Sequence, residues 1–213
     1  MAGKFITFEG GEGVGKSTQL QRVATWLCSR GLEVVMTREP GGTPRAERLR
    51  AILLERGDEP MPVSCELLLM FAARATHLAN RIEPAVARGA WVLCDRFTDA
   101  TYAYQGGGRG VPERDIDALV SIVHPGRQPD LTVLLDAPVD IGLGRAGRRN
   151  GSDGPDRFET ERREFFERVR ARYLARAERE PRRFRVVDAS GDVETVEAAI
   201  RAILERLVTG SDA

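Results

Sequence analysis

Lysine is almost missing from this chain. Of its 32 basic residues only Lys4 and Lys16 are lysines, and every other one is arginine. No apolar run approaches the roughly 18 residues that a membrane-spanning helix needs, so no membrane partner is expected. The N-terminus enters an apolar strand pattern without a charged-then-apolar leader, which predicts a cytoplasmic chain. Formal net charge is zero, which argues against general binding to nucleic acid or to a membrane surface. The cysteines, Cys28, Cys65 and Cys94, are odd in number and have no metal-ligand spacing. They fall in apolar helix or strand patterns and read as buried free thiols in a reducing compartment. With no internal repeat and no low-complexity linker, the 213 residues read as a single domain spanning residues 1–213.

The residues that are present gather around one stretch. Residues 5–8 have strand character and run into Glu9, Gly10, Gly11, Glu12, Gly13, Val14, Gly15, Lys16, Ser17 and Thr18. A helical pattern follows, with Leu20, Val23, Ala24, Leu27 and Cys28 on one face and Gly31 at its end. Strand, G-x-x-x-x-G-K-S and helix start together make a P-loop. Its glycines let successive N–H groups point into one concavity, and the helix N-terminus adds partial positive charge there. Lys16 supplies a compact mobile charge, which a planar guanidinium cannot imitate. The Ser17 hydroxyl stands where Mg²⁺ would be ligated.

Strands alternate with helices along the rest of the chain, which predicts an α/β fold with a parallel sheet covered on both faces. Residues 33–37 read as the second strand. Arg38, Glu39 and Arg50 flank the glycines of the breaker-rich loop at 38–44, where an ordinary turn and a ligand contact are equally good readings. Residues 61–89 read as mostly helix, with Ser64 as N-cap and residues 67–71 apolar all round, as in a buried helix. Arg74 interrupts that region and needs a carboxylate or a ligand; His77 reads as structural. The strand at 91–94 ends in Asp95 and Arg96, the Walker-B pattern of an acid near Mg²⁺ on the ligand side of the sheet. Residues 98–105 read as a helix broken at Gly106, and His124 as a surface residue at a helix end. A fourth strand is expected at 131–135 and a fifth at 184–188. Arg145, Arg148 and Arg149 precede a run of turn-formers and read as a mobile lid at about 142–156. Nucleic-acid contact and a solvated face are the rival readings. Asp156 and Glu159 read as the capped start of a helix running to about residue 180, with Phe158, Phe165, Phe166, Val169 and Tyr173 inward and a solvated face of Arg and Glu. Asp192 caps the last helix.

With this P-loop, the Asp95–Arg96–Phe97 strand end and the arginine lid, the chain resembles the bacterial thymidylate kinases, within the P-loop nucleoside monophosphate kinases. The resemblance rests on residues 8–18 (FEGGEGVGKST), 37–44 (TREPGGTP), 71–77 (FAARATH), 95–110 (DRFTDATYAYQGGGRG), 129–136 (PDLTVLLD) and 156–159 (DRFE). It implies a P-loop NTPase fold with a five-stranded parallel sheet and an arginine-bearing lid. It also implies transfer of the γ-phosphoryl of ATP to dTMP, with Mg²⁺, in a homodimer.

Carried onto these positions, residues 10–18 cradle ATP: Gly10, Gly11, Glu12, Gly13, Val14, Gly15, Lys16, Ser17 and Thr18, joined by Arg145 and Arg148. Ser17 and Asp95 serve the metal. Lys16, Arg96, Asp95, Glu12 and a lid arginine, Arg149 among the three, carry the chemistry. Arg50, Phe71, Arg74, Arg96, Thr101, Tyr104 and Gln105 hold dTMP, with Arg74 on the thymine edge and Tyr104 crowding the sugar's 2′ position. Two departures stand out. The family often has Phe-x-x-x-Arg, but here the spacing is Phe71-x-x-Arg74, so either Phe71 or Met70 covers the thymine. Ala100 also stands where a serine is usual. A kinase for another nucleotide or a deoxynucleoside, and a P-loop switch protein, are the alternatives.

Overall fold

The computed structural model describes residues 2–55, 59–149, 158 and 161–210; of Arg149 it describes the backbone alone. Five strands, β1 (Lys4–Glu9), β2 (Val34–Arg38), β3 (Trp91–Asp95), β4 (Leu131–Asp136) and β5 (Phe184–Asp188), form a parallel sheet in the order β2-β3-β1-β4-β5. β1 is central, and its Phe5, Ile6, Thr7 and Phe8 are all fully buried. A parallel sheet covered on both faces needs such uninterrupted apolar strands. The one polar member, Thr7, is satisfied across the sheet by the Thr132 hydroxyl at 2.9 Å.

Helices cover both faces. On one, α1 (Lys16–Ser29) and α9 (Val193–Thr209) pack Leu20, Val23, Leu27, Ile200 and Leu204 against Ile6, Phe8, Val133 and Leu135. The Asp192 side chain accepts the Thr195 N–H and caps α9, as expected. On the other face, α2 (Pro44–Leu54), α3 (Val63–His77), α4 (Glu83–Ala87), α5 (Thr98–Thr101) and α6 (Glu113–Val123) follow in chain order. α7 (Val139–Arg149) and α8 (Arg163–Arg179) then lead to β5. The chain leaves β1 toward one sheet edge and β4 toward the other. The crevice between their carboxyl ends is the switch point where open α/β sheets bind ligands.

Several local expectations are corrected. Pro62, not Ser64, stands at the start of α3, because the fixed φ of proline sets the turn of entry and the Ser64 hydroxyl makes no cap. Leu68 is exposed although its neighbours are apolar, since α3 lies at the surface beside α2 and α6. Cys28 and Cys65 are exposed and only Cys94 is buried. On α1 the buried place belongs to Trp26. His124 is buried, not superficial. It packs on the rings of Phe71 and Phe97, and its Nε2 meets the Thr98 hydroxyl at 2.9 Å.

The helix begun by α5 does not break at Gly106. It widens into a π-helical stretch, Tyr102–Gly108, with the Arg109 N–H reaching back to the Tyr104 carbonyl. A second π-helical stretch, Leu78–Ile82, joins α3 to α4. The arginines of α8 are not merely solvated: Arg176, together with Arg183 beyond the helix, clasps the buried carboxylate of Asp99. The expected lid residues 150–156 and the cap pair Asp156 and Glu159 lie outside the described residues. No described helix is long and apolar enough to cross a membrane.

Candidate active site

The P-loop closes around three glycines with positive φ, Gly10, Gly13 and Gly15, and Gly15 is the N-cap of α1. At Gly13 the requirement is steric as well. A Cβ there would collide with the carbonyl oxygen of Gly142, and one on Gly142 would collide with that of Glu12. The start of α7 therefore rests directly on the tip of the loop. Lys16 is buried, and its Nζ donates to the carbonyl oxygens of Gly10 at 3.2 Å and Gly11 at 2.7 Å. Burial, and then the nearby Arg96 charge, pull the ammonium down from 10.5 to about 8. Anionic phosphates beside it would raise it again.

Arg96 is the only non-glycine residue with positive φ among those described, at 69°. Strain of this kind persists where surrounding groups enforce it. Here the Arg96 N–H donates to the Phe8 carbonyl at 3.0 Å, and the Phe97 N–H donates to Glu9 Oε1 at 2.7 Å. The strained turn swings the guanidinium back over the P-loop. Its Nη1 donates to the Gly10 carbonyl at 2.9 Å and to the Tyr173 hydroxyl at 3.3 Å, and its Nη2 donates to Glu12 Oε1 at 2.6 Å. The Tyr104 ring lies beneath it, 4.7 Å from centroid to guanidinium carbon, while the Tyr104 hydroxyl also donates to Glu12 at 2.8 Å.

Asp95 ends β3 beside Ser17, whose hydroxyl donates to Asp95 Oδ2 at 3.2 Å. The other oxygen, Oδ1, is buried and without a hydrogen-bond partner. A hydroxyl and an unsatisfied carboxylate oxygen are hard ligands that fit Mg²⁺. Among the described residues there is no cluster of three or more His, Cys, Asp or Glu side chains to hold a metal ion unaided. An ion here would therefore complete its shell with phosphate oxygens and water.

These groups open onto one cavity of about 820 Å³ that runs from the α9 end of the sheet to α3. At the α9 end, Arg145 donates to the carbonyl oxygens of Ala189, Ser190 and Gly191 at 2.7, 2.9 and 3.1 Å. Three carbonyls fix the plane of the guanidinium, and such a plane stacks on aromatic rings. At the α3 end, Leu54, Met70, Arg74, Phe97, Ala100, Thr101, Tyr104 and Gln105 line the wall. Arg50 lies on the same wall, its Nη1 bonded to the Pro40 carbonyl at 3.0 Å.

Arg74 does find a carboxylate. Its Nε donates to Glu39 Oε2 at 2.7 Å, while His77 Nδ1 meets Glu39 Oε1 at 2.9 Å. Burial alone would raise the Glu39 pKa; Arg74 and His77 instead hold it below the usual carboxylate range. His77 is structural, as expected, and its second nitrogen meets the Thr37 hydroxyl at 2.6 Å.

Of the sequence-predicted site residues, the cavity wall includes Glu12, Gly13, Val14, Gly15, Lys16, Ser17, Thr18, Arg50, Arg74, Asp95, Arg96, Thr101, Tyr104, Gln105 and Arg145. Gly10 and Gly11 lie behind that wall and present their carbonyls to Lys16. Phe71 does not reach it. The ring is buried against Leu67, Tyr102 and Ile116, and Met70 occupies the wall instead. Arg148 is exposed on α7, and the side chain of Arg149 lies outside the described residues. Sequence reading missed Glu9, Tyr173 and Glu66, whose partners are remote in the chain.

Comparison with known proteins decides the family. The family model described as thymidylate kinase matches residues 8–200. The chain belongs to the thymidylate kinase family. It is 60% identical over 211 residues to a thymidylate kinase of Chromohalobacter salexigens, covering 98% of this chain and 99% of that one. It is 55% identical over 208 residues to a thymidylate kinase of Pseudomonas putida, covering 98% of each. Among solved structures, the thymidylate kinase of Ehrlichia chaffeensis superimposes with a TM-score of 0.77 at 32% identity, covering 96% of this chain and 99% of that one. The P-loop NTPase fold of a thymidylate kinase is thus the fold found here, and the activity class is that of a phosphotransferase using ATP.

Proposed function

We propose that the chain transfers the γ-phosphoryl group of ATP to dTMP, giving ADP and dTDP. The observation that carries this reading is a single cavity of about 820 Å³ whose wall joins the P-loop, Lys16 and Arg96 to the residues of α3. One end has the P-loop and the fixed Arg145 plane. The other has Arg50, which suits an acceptor phosphate, and Arg74, Thr101 and Gln105, which suit a base edge. Met70 covers the pyrimidine ring in place of an aromatic residue.

The acceptor oxygen of a monophosphate is already a nucleophile, so no strong general base is required. Catalysis is in-line positioning plus positive charge on the transferring group. The P-loop N–H groups and Lys16 hold the β- and γ-phosphates. Arg96 leaves the Glu12 carboxylate and bridges donor and acceptor phosphates. Glu12, released, turns to the acceptor sugar. Arg149 on the lid adds a further guanidinium. Mg²⁺, bound at Ser17 and Asp95, would neutralise phosphate charge. Tyr104 crowds the sugar's 2′ position.

Exposed apolar side chains on α2, α3 and α6, namely Ile52, Val63, Leu68 and Ile122, support a homodimer built on that face. Cys28 and Cys65 are exposed free thiols, which suits the reducing cytoplasm.

The test is ADP release from ATP with a panel of monophosphates. Release driven by dTMP supports the reading. ADP release that ignores every monophosphate would favour a switch protein instead.

A further inference from the structure

The base end of the cavity is built from two helical stripes that face each other. Glu66, Met70 and Arg74 stand at i, i+4 and i+8 on α3, so they share one side of that helix. Thr101 and Gln105 stand one turn apart where α5 passes into the π-helical stretch. The stripes are cross-braced at both ends. Arg74 Nη2 donates to the Thr101 hydroxyl oxygen at 3.0 Å, and Gln105 Nε2 donates to Glu66 Oε1 at 2.7 Å. Met70 is the apolar rung between them. Glu66, Arg74, Thr101 and Gln105 are each 2% exposed or less.

Each brace fixes a polarity. Glu66, ion-paired with Arg109, accepts from the NH₂ group of Gln105, which turns the Gln105 carbonyl oxygen, Oε1, away from it. Among the described residues nothing donates to that oxygen, while Gln105 lines the cavity. Arg74 spends Nε on Glu39 and Nη2 on Phe97 and Thr101, and its Nη1 is buried without a partner. The Thr101 oxygen already accepts from Arg74, so its proton is the part left to give. The pocket therefore offers two donors and one acceptor. An imide edge, with two carbonyl oxygens flanking an N–H, is their complement. A 4-aminopyrimidine presents the opposite polarity at two of the three places.

We propose that Glu66 is a specificity-determining positioning residue: it locks the Gln105 amide so that the cavity accepts an imide-bearing pyrimidine and rejects its 4-amino analogue. This rests on the reading of the cavity as the dTMP site. Arg109 also faces this carboxylate, with its Nε 3.6 Å from Glu66 Oε1.

A glutamine at position 66 can donate or accept, so the facing amide is free to turn over. The experiment compares kcat/KM for dTMP with that for 5-methyl-dCMP, which differs from dTMP only along the edge being read. For the unaltered enzyme the ratio should be on the order of 10³ or more, because buried polar groups left unpaired are costly. In Glu66→Gln the ratio should fall at least about tenfold. A folded Glu66→Gln enzyme with the original ratio would overturn the amide lock.

A second measurement needs no variant. N3-methyl-dTMP, which lacks the N–H, should be used at least about 10²-fold less efficiently than dTMP; equal use would also overturn the lock. Failure of the unaltered enzyme to convert dTMP at all would instead sink the proposed function, so the two ideas fail separately.

Discussion

The hydroxyl of Tyr173 donates to Glu9 Oε2 at 2.8 Å while accepting from Arg96 Nη1 at 3.3 Å. The other oxygen of Glu9 accepts the Phe97 N–H, next to the strained backbone of Arg96. One buried carboxylate thus steadies both the backbone turn and, through Tyr173, the side chain of the arginine that stands between the two nucleotide subsites. In Tyr173→Phe, kcat should fall about tenfold with little change in either KM, since the lost bond orients Arg96 and binds no substrate. Steady-state kinetics on the purified variant check this; unchanged kcat would contradict it.

Glu9 also predicts a pH dependence of stability. Burial, and then the Asp99 charge, push its carboxyl from 4.5 up to about 8, against the opposing pull of Arg96 and the bonds from Tyr173 and Phe97. The folded state therefore holds this proton more tightly than the unfolded chain. The stability it contributes is fully present below about pH 4.5 and is lost as pH rises toward about 8. Glu9→Gln should remove that loss. The difference in unfolding free energy between the two proteins should change by at most ~1.4 kcal/mol per pH unit across this window. Denaturant melts at pH 5, 6, 7 and 8 would show it; parallel curves would contradict it.

Lys16→Ala and Arg96→Ala should each lower kcat by on the order of 10²–10⁴, the range found when one charge donor is removed from such sites. Purified variants that fold and keep near-normal turnover would refute those roles.

The contact between Gly13 and Gly142 is a second point of leverage. Gly142→Ala places a Cβ against the Glu12 carbonyl, so α7 must lift from the loop tip. The expected result is at least about a tenfold rise in the KM for ATP, with a smaller effect on dTMP. Equal effects on both substrates would show that the contact does not serve the P-loop side.

The exposed apolar side chains on α3 and α6 carry a prediction about assembly. Leu68→Arg combined with Ile122→Arg should convert a dimer to a monomer in light scattering. A variant that keeps the mass of the unaltered protein would exclude this face as the interface.

The legible parts of the site were those that the chain itself brings together. The P-loop joins strand, turn and helix within a dozen residues, and Asp95 and Arg96 end a strand. Alternation of apolar strands and helices was enough for the parallel sheet. What could not be read depended on distant partners. Glu9 meets Tyr173 across 164 residues, and Glu66 meets Gln105 across 39. In sequence those residues look like a strand end, a core tyrosine and an ordinary helix acid. Cys28 differs from expectation because a small rotation of α1 exchanges inside for outside, and no local signal fixes that rotation; His124 lies just past α6 in a non-helical conformation, and its burial is set by Thr98, Phe71 and Phe97, which are remote in the chain. The π-helical stretch Tyr102–Gly108 escaped notice because its glycines read as a break. Phe71 and Met70 are neighbours, and only the packing of α3 decides which of them faces the cavity.

The most direct test is a crystal structure of the protein soaked with dTMP and a non-hydrolysable ATP analogue. Two nucleotides should lie end to end, with the γ-phosphate analogue and the dTMP phosphate both within hydrogen-bond reach of Arg96 and with thymine against Met70. A second nucleotide bound away from Arg96 would contradict the account.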